Sequence, residues 1–190
     1  MGFFVVWLIL FCSNGKIKEI YSEMEKQMKK VIVIGCPGSG KTTFAEKLQK
    51  KINLPLYYLD AVWHKPDKTH ISREEFDKRI AEIFATKEWI IDGNYNRTIE
   101  MRLKKCDTVF LFDLPTEVCL QGATDRIGKG RYDLPWLETE LDPEFAEFIK
   151  EFKEKSLPKI YDLLEKYRNE KQIVIFKSRE EADEFLNKEW

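Results

Sequence analysis

The chain is poor in metal-ligating and cross-linking residues. Its 190 residues include four cysteines and two histidines. Cys12, Cys36, Cys106 and Cys119 form no Cys-x-x-Cys pair, and His64 and His70 stand apart from them. The close N/S spacing of a structural zinc site is therefore missing. The thiols read instead as small apolar side chains of a reduced protein. Charge of one sign is not in excess either, since 32 Lys+Arg stand against 33 Asp+Glu. A general DNA or RNA binder should show a basic surplus, so direct nucleic-acid binding is not expected. Internal repeats, low-complexity tracts and interdomain linkers are absent. So is an apolar run of spanning length: Gly2 to Cys12 is apolar, about half of the ~20 residues a membrane helix needs.

That first segment also lacks the basic start and small-residue cleavage site of a signal peptide. No Lys or Arg precedes Lys16, and residues 1–27 hold three Lys and three Glu. Residues 1–27 are expected to be an upstream extension outside the fold, with Met28 or Met24 as the natural start. A weak membrane anchor formed by residues 3–12 is the rival reading. What remains, residues 28–190, suits a single domain of about 100–200 residues. Apolar residues at 43% and aromatics at 13% supply a core and exclude disorder.

From Met28 the chain alternates strand and helix patterns. Val31-Ile32-Val33-Ile34 is a continuous β-branched run, the mark of a strand buried on both faces of a parallel sheet. Leu56 to Leu59 reads as a second strand ending at Asp60, Trp89-Ile90-Ile91 as a third, Val109 to Phe112 as a fourth and Ile173 to Phe176 as a fifth. Between them, Phe44/Leu48/Ile52 and Phe76/Ile80/Ile83 recur at helical spacing. Ser72 with Glu75 and Ser178 with Glu181 have the spacing of capping boxes. Pro115 is placed to open a helix at its first position, and Pro158 to kink or break one. Residues 126–142 are irregular, with Gly128, Gly130 and Pro135. Strands alternating with helices give an α/β layered fold with right-handed crossovers.

Gly35-Cys36-Pro37-Gly38-Ser39-Gly40-Lys41-Thr42 matches GxxxxGK[ST] between a strand and an amphipathic helix. Glycines let successive backbone N–H groups turn toward phosphate oxygens, and the helix N-terminus adds its positive dipole end. Lys41 is expected to bridge the β- and γ-phosphates of ATP, and the Thr42 hydroxyl to ligate Mg²⁺. Gly35, Pro37, Gly38, Ser39, Gly40, Lys41, Thr42 and Thr43 form the candidate nucleotide loop. An NKxD guanine-specifying pattern is absent, and the chain is too short for a second recA-like half. A small nucleoside or nucleotide kinase remains.

Ile90-Ile91-Asp92-Gly93-Asn94-Tyr95-Asn96-Arg97-Thr98 is similar to the strand-end IDGFPRT segment of adenylate kinases, with Asn94-Tyr95 in place of Phe-Pro. The resemblance implies that Asp92 supports Mg²⁺ through water and that Arg97 grips phosphate. A turn residue before Gly93 is the plainer reading of Asp92. From about Lys29 onward the chain resembles the adenylate-kinase-like DNA topology modulation proteins. The matching segments are Gly35 to Thr43, Leu59-Asp60-Ala61-Val62-Trp63, Trp89 to Tyr95, and Gly128-Lys129-Gly130-Arg131-Tyr132-Asp133. The resemblance implies a three-layer P-loop NTPase fold with a five-stranded parallel sheet, order 2-3-1-4-5, and a short lid at about 126–142.

On that frame, Arg126, Lys129 and Arg131 are placed to close over the transferring phosphoryl group, an exposed basic loop being the alternative. Asp60, at a strand end where ligands bind in such sheets, is placed to orient or deprotonate the acceptor; a cap or surface turn is the alternative. Trp63, His64 and Tyr95 are candidate stacking walls or plain packing. Asp113 reads as a Mg²⁺ ligand or, preferably, a helix cap. Lys177-Ser178-Arg179 is placed to touch the adenine. The expected protein is a cytoplasmic, ATP- and Mg²⁺-dependent phosphotransferase, monomer or weak dimer, acting on a nucleotide or nucleoside. A non-catalytic ATP-binding regulator and a membrane-tethered form are the alternatives.

Overall fold

The computed structural model describes residues 28–188; the expected extension, residues 1–27, lies outside them. Five strands form one parallel sheet: β1 (Lys30–Gly35), β2 (Leu56–Tyr58), β3 (Trp89–Asp92), β4 (Thr108–Phe112) and β5 (Gln172–Phe176), in the order β2-β3-β1-β4-β5. The expected topology is the one found. β1, β3 and β4 are almost entirely buried, which is why they are β-branched and aromatic without alternation. The register sets Val33 opposite Asp92 and Gly35 opposite Phe112, so the three central strands end together at one edge.

The helices are α1 (Lys41–Ile52), α2 (Leu59–Trp63), α3 (Arg73–Phe84), α4 (Ile99–Leu103), α5 (Thr116–Asp125), α6 (Pro143–Glu151), α7 (Leu157–Tyr167) and α8 (Arg179–Asn187). α1 packs on α8 and on β1, while α5 meets α6 and α4 meets α7. Phe44 of α1 is the hub of the core. Its ring centroid lies 4.9 Å from Phe110, 5.4 Å from Phe112, 5.2 Å from Phe176 and 6.2 Å from Phe185. Phe110 and Phe112 reach it together because alternate strand residues share a face.

Ser72 and Ser178 cap α3 and α8 by accepting from the N–H groups of Glu75 and Glu181. The reciprocal half of the first box is missing, because the Glu75 carboxylate accepts from Arg79 instead. Asp142 caps α6, with Pro143 behind it. Pro158 falls in the first turn of α7, and the break it demands is a π-helical turn at Phe152–Ser156. Two boundaries differ from the sequence reading. The second strand stops at Tyr58 and the chain turns into α2, burying Leu59 completely and placing Asp60 in a helical turn. Pro115 is the N-cap of α5 and not its first residue.

Phe44→Ala is expected to lower the unfolding free energy by about 3–5 kcal/mol. Urea denaturation followed by circular dichroism measures this; a loss below ~1 kcal/mol would contradict the aromatic hub.

Candidate active site

The phosphate loop leaves β1 and enters α1 through left-handed glycines, with φ of 76° at Gly38 and 100° at Gly40. Gly38 is also forced by contact, since a Cβ there would collide with the carbonyl of Cys119 on α5. No side chain caps α1 at Gly40, so its first-turn N–H groups remain for an anion. Pro37 is half-buried in the loop, Ser39 is buried, and Thr43 sits exposed in the first turn of α1. From the other side Arg179 donates to the Gly38 carbonyl at 2.8 Å, to that of Ser39 at 3.3 Å and to that of Val118 at 3.3 Å. One guanidinium thus ties the loop to α5 and α8. Cys36 and Cys119 share a thiol hydrogen bond that, together with burial, pushes the Cys36 thiol far above its usual value. The same hydrogen bond pulls the Cys119 thiol down from its usual value, and both side chains are buried.

The neighbouring strand end supplies the acid. The Thr42 hydroxyl donates to Asp92 Oδ2 at 2.6 Å, and Asp92 Oδ1 is buried without a partner. Burial pushes the Asp92 carboxyl up to about 6, against the pull of Lys41 and the bond from Thr42. A buried, half-unsatisfied carboxylate beside a threonine hydroxyl and a lysine fits a hydrated Mg²⁺ whose other ligands come from phosphate oxygens. Consistent with that shared coordination, the described residues contain no group of three His, Cys, Asp or Glu side chains able to hold a metal alone. Asn94 adds a further tie by accepting from the Gly35 N–H at 3.3 Å.

Asp60 and Tyr95 meet across the next gap, where the Tyr95 hydroxyl donates to Asp60 Oδ1 at 2.9 Å. Burial and the Asp60 charge push the Tyr95 phenol well above its ordinary value. Tyr95 holds a left-handed backbone, φ 31°, rare for a bulky residue. Arg102 keeps it there. Fully buried on α4, Arg102 donates to the Gly93 carbonyl at 2.7 Å, to that of Asn94, and to that of Tyr95 at 3.2 Å. Trp63 stacks on His70 at 4.4 Å and presents an edge contact to Tyr95 at 6.1 Å. The tight turn that pairs His64 with His70 makes the stack possible.

Residues 126–142, the expected lid, are irregular and held by internal ion pairs. Arg131 binds both oxygens of Asp133 and reaches Glu138 at 2.8 Å; Arg126 pairs with Glu138 at 3.1 Å. Arg126 also lies over the Phe145 ring of α6 at 5.2 Å. Trp136 meets the His64 ring at 5.0 Å, which sets the lid against the α2 end of the acceptor side. Lys129 points to solvent.

Two expectations are corrected. Arg97 is not brought to the site: it makes a two-bond ion pair with Asp77 of α3 at 2.6 and 2.9 Å, on the surface. It belongs to a 3₁₀ turn (Asn96–Thr98) that swings it outward. Asp113 neither caps α5 nor reaches Thr42; its carboxylate accepts from Tyr161 at 2.6 Å and from Lys177. In the Lys177-Ser178-Arg179 segment each side chain has a partner within the protein: Arg179 serves the loop backbone, Lys177 serves Asp113 and Ser178 caps α8. Sequence reasoning missed Arg102, Asn94, Arg179, Asp133 and Glu138. Arg102 left a signal, because it shares an apolar helix face with Ile99 and Leu103 at i, i+3, i+4 spacing.

Residues 28–112 match the family described as chromatin associated protein KTI12. Adenylate kinases of Thermotoga neapolitana and Thermotoga maritima are 30% identical over 88 residues, 45% of this chain. The match spans 39% of the length of those relatives. A shikimate kinase structure from Bacteroides thetaiotaomicron superposes with a TM-score of 0.50 at 18% identity, covering 82% of this chain and 93% of that one. A gluconokinase from Sinorhizobium meliloti gives 0.52 at 14% identity, covering 84% and 88%. The fold is a P-loop kinase fold. Among the described residues, no helix is long and apolar enough to cross a membrane.

Arg97→Ala is expected to change stability by less than ~1 kcal/mol, as for exposed ion pairs. Arg102→Ala is expected to cost about 3–5 kcal/mol, because the carbonyls of Gly93, Asn94, Tyr95 and Thr98 lose a fully buried donor. Parallel urea titrations of the two variants decide the matter; equal losses would contradict the placement of the two arginines.

Proposed function

We propose that the protein is an ATP-dependent phosphotransferase that moves the γ-phosphoryl group to a hydroxyl of a small nucleoside or nucleotide. The observation that carries this reading is the Thr42–Asp92 hydrogen bond beside Lys41, at the mouth of a loop built for phosphate. Loop N–H groups and Lys41 bind and orient the β- and γ-phosphates. Thr42 and Asp92 are the residues that would hold Mg²⁺, which when bound offsets charge on the phosphate oxygens. Asp60, steadied by Tyr95, orients the acceptor hydroxyl and takes its proton. Arg126 and Arg131 neutralise charge on the transferring group once their internal carboxylates are displaced, and lid closure excludes water. The chain's resemblance to DNA topology modulation proteins is consistent with this reading, since it rests on the same loop, acid and lid segments.

A second reading, a nucleotide-sensing regulator, is favoured by one feature: both lid guanidiniums are neutralised from within. Labelled transfer separates the two. With γ-labelled Mg-ATP and a panel of nucleosides, nucleoside monophosphates and small alcohols, a labelled product is expected. Lys41→Ala is expected to lower kcat/KM by about 100-fold or more with the circular dichroism unchanged. Tight ATP binding without transfer to any acceptor would favour the sensor.

A further inference from the structure

The acceptor side is well supplied with carboxylates and has no guanidinium to spare. Recognition of a phosphate monoester calls for a forked donor or a cluster of cations facing the ligand. Four arginines surround this region, and each already has anionic or carbonyl partners. Arg97 faces outward on Asp77, and Arg102 is buried on backbone carbonyls. Arg126 and Arg131 are ringed by Asp133 and Glu138. Lys41 belongs to the nucleotide loop.

The carboxylates, in contrast, face inward. Asp133 is 3% exposed, and its charge is felt at Tyr58, Tyr95 and Asp92. The Asp60 charge is felt in turn at Arg126 and Arg131. His64 adds no fixed positive charge, because burial holds its imidazole below the ordinary value. A dianion entering here meets the Asp60 charge with every nearby guanidinium already paired, which disfavours it. If Asp133 and Glu138 release Arg126 and Arg131, both guanidiniums are committed under the phosphotransferase reading to the transferring phosphoryl group, which leaves none for a phosphate on the acceptor. What the region offers a neutral hydroxyl compound is aromatic surface and an acceptor: the Trp63 and Tyr95 rings, and an Asp60 carboxylate with one oxygen occupied by the Tyr95 hydroxyl.

Resting on the phosphotransferase reading above, we infer that the acceptor is a hydroxyl compound carrying no phosphate group, a nucleoside and not a nucleotide. Its planar face lies against Trp63 and Tyr95 and its hydroxyl is directed to Asp60. In the transfer, the acceptor oxygen forms a bond to the γ-phosphorus as the bond from that phosphorus to the β–γ bridging oxygen breaks. The bridging oxygen leaves with the electron pair as part of ADP, and the acceptor proton passes to Asp60.

The test uses the full chain, γ-labelled Mg-ATP, and matched pairs of ribo- and deoxyribonucleosides with their 5′-monophosphates. At least one nucleoside is expected to be labelled with a kcat/KM about 100-fold above that of its monophosphate, the scale set by like-charge exclusion. Preferential labelling of monophosphates would overturn the inference and leave the kinase reading standing. Labelling of neither series would overturn it too, while calorimetric binding of Mg-ATP separately judges the phosphate loop. The charge argument has its own readout in Asp133→Asn/Glu138→Gln, with Glu138→Gln alone as the milder variant. Either is expected to tighten binding of inorganic phosphate, followed by ³¹P line broadening, by about tenfold. Unchanged phosphate binding in both variants would contradict the inference.

Discussion

The parallel pairing of β1 with β3 is the constraint on which the site depends. It sets Val33 opposite Asp92, and the Gly93 N–H donates to the Val33 carbonyl at 3.1 Å. A glycine loop leaving one strand and an acid ending the next must therefore emerge side by side. Parallel strands need long crossovers, and the α1 crossover here begins with the loop's own lysine and threonine. The Thr42–Asp92 bond follows from topology as much as from side-chain choice. Burial raises the Asp92 carboxyl because the strand end is packed all round, and the charge it develops is answered locally by Lys41 and Thr42.

Around this centre, two buried or half-buried arginines do structural work. Arg179 clamps the phosphate loop from behind through its carbonyls. Arg102 holds the strained Gly93–Tyr95 turn from below. A guanidinium suits both tasks because its planar fork presents several donors at fixed angles. Each fixes a segment that bears function, so the Tyr95–Asp60 pair and the loop are preorganised before any ligand arrives. The lid is arranged differently. Its cations, Arg126 and Arg131, are held by the short-range acids Asp133 and Glu138.

The elements with strong local patterns were legible from residues alone: the β-branched run of β1, the Phe44/Leu48 face of α1, the Ser72 start of α3. The phosphate loop was legible because its chemistry demands a fixed local spacing. Strand order came from resemblance, since nothing in a strand's own sequence names its neighbour. Arg97 was misplaced because a local segment likeness cannot show that a 3₁₀ turn rotates the side chain toward Asp77. Asp113 was misread because its partners, Tyr161 and Lys177, lie 48 and 64 residues away. The acids that hold the lid were hidden for a similar reason: charge-pair choice in an irregular loop follows its three-dimensional path.

Calorimetric titration of ATP into the full chain, with Mg²⁺ and with EDTA, tests the central claim most directly when repeated on Asp92→Asn. The site geometry predicts saturable binding that Mg²⁺ tightens, and a loss of about tenfold or more of that Mg²⁺-dependent gain in the variant, as for residues supporting a metal through its shell. Metal-free binding is expected to survive the substitution. No saturable binding by the wild-type chain, or an undiminished Mg²⁺ gain in Asp92→Asn, would contradict a nucleotide site organised by Lys41, Thr42 and Asp92.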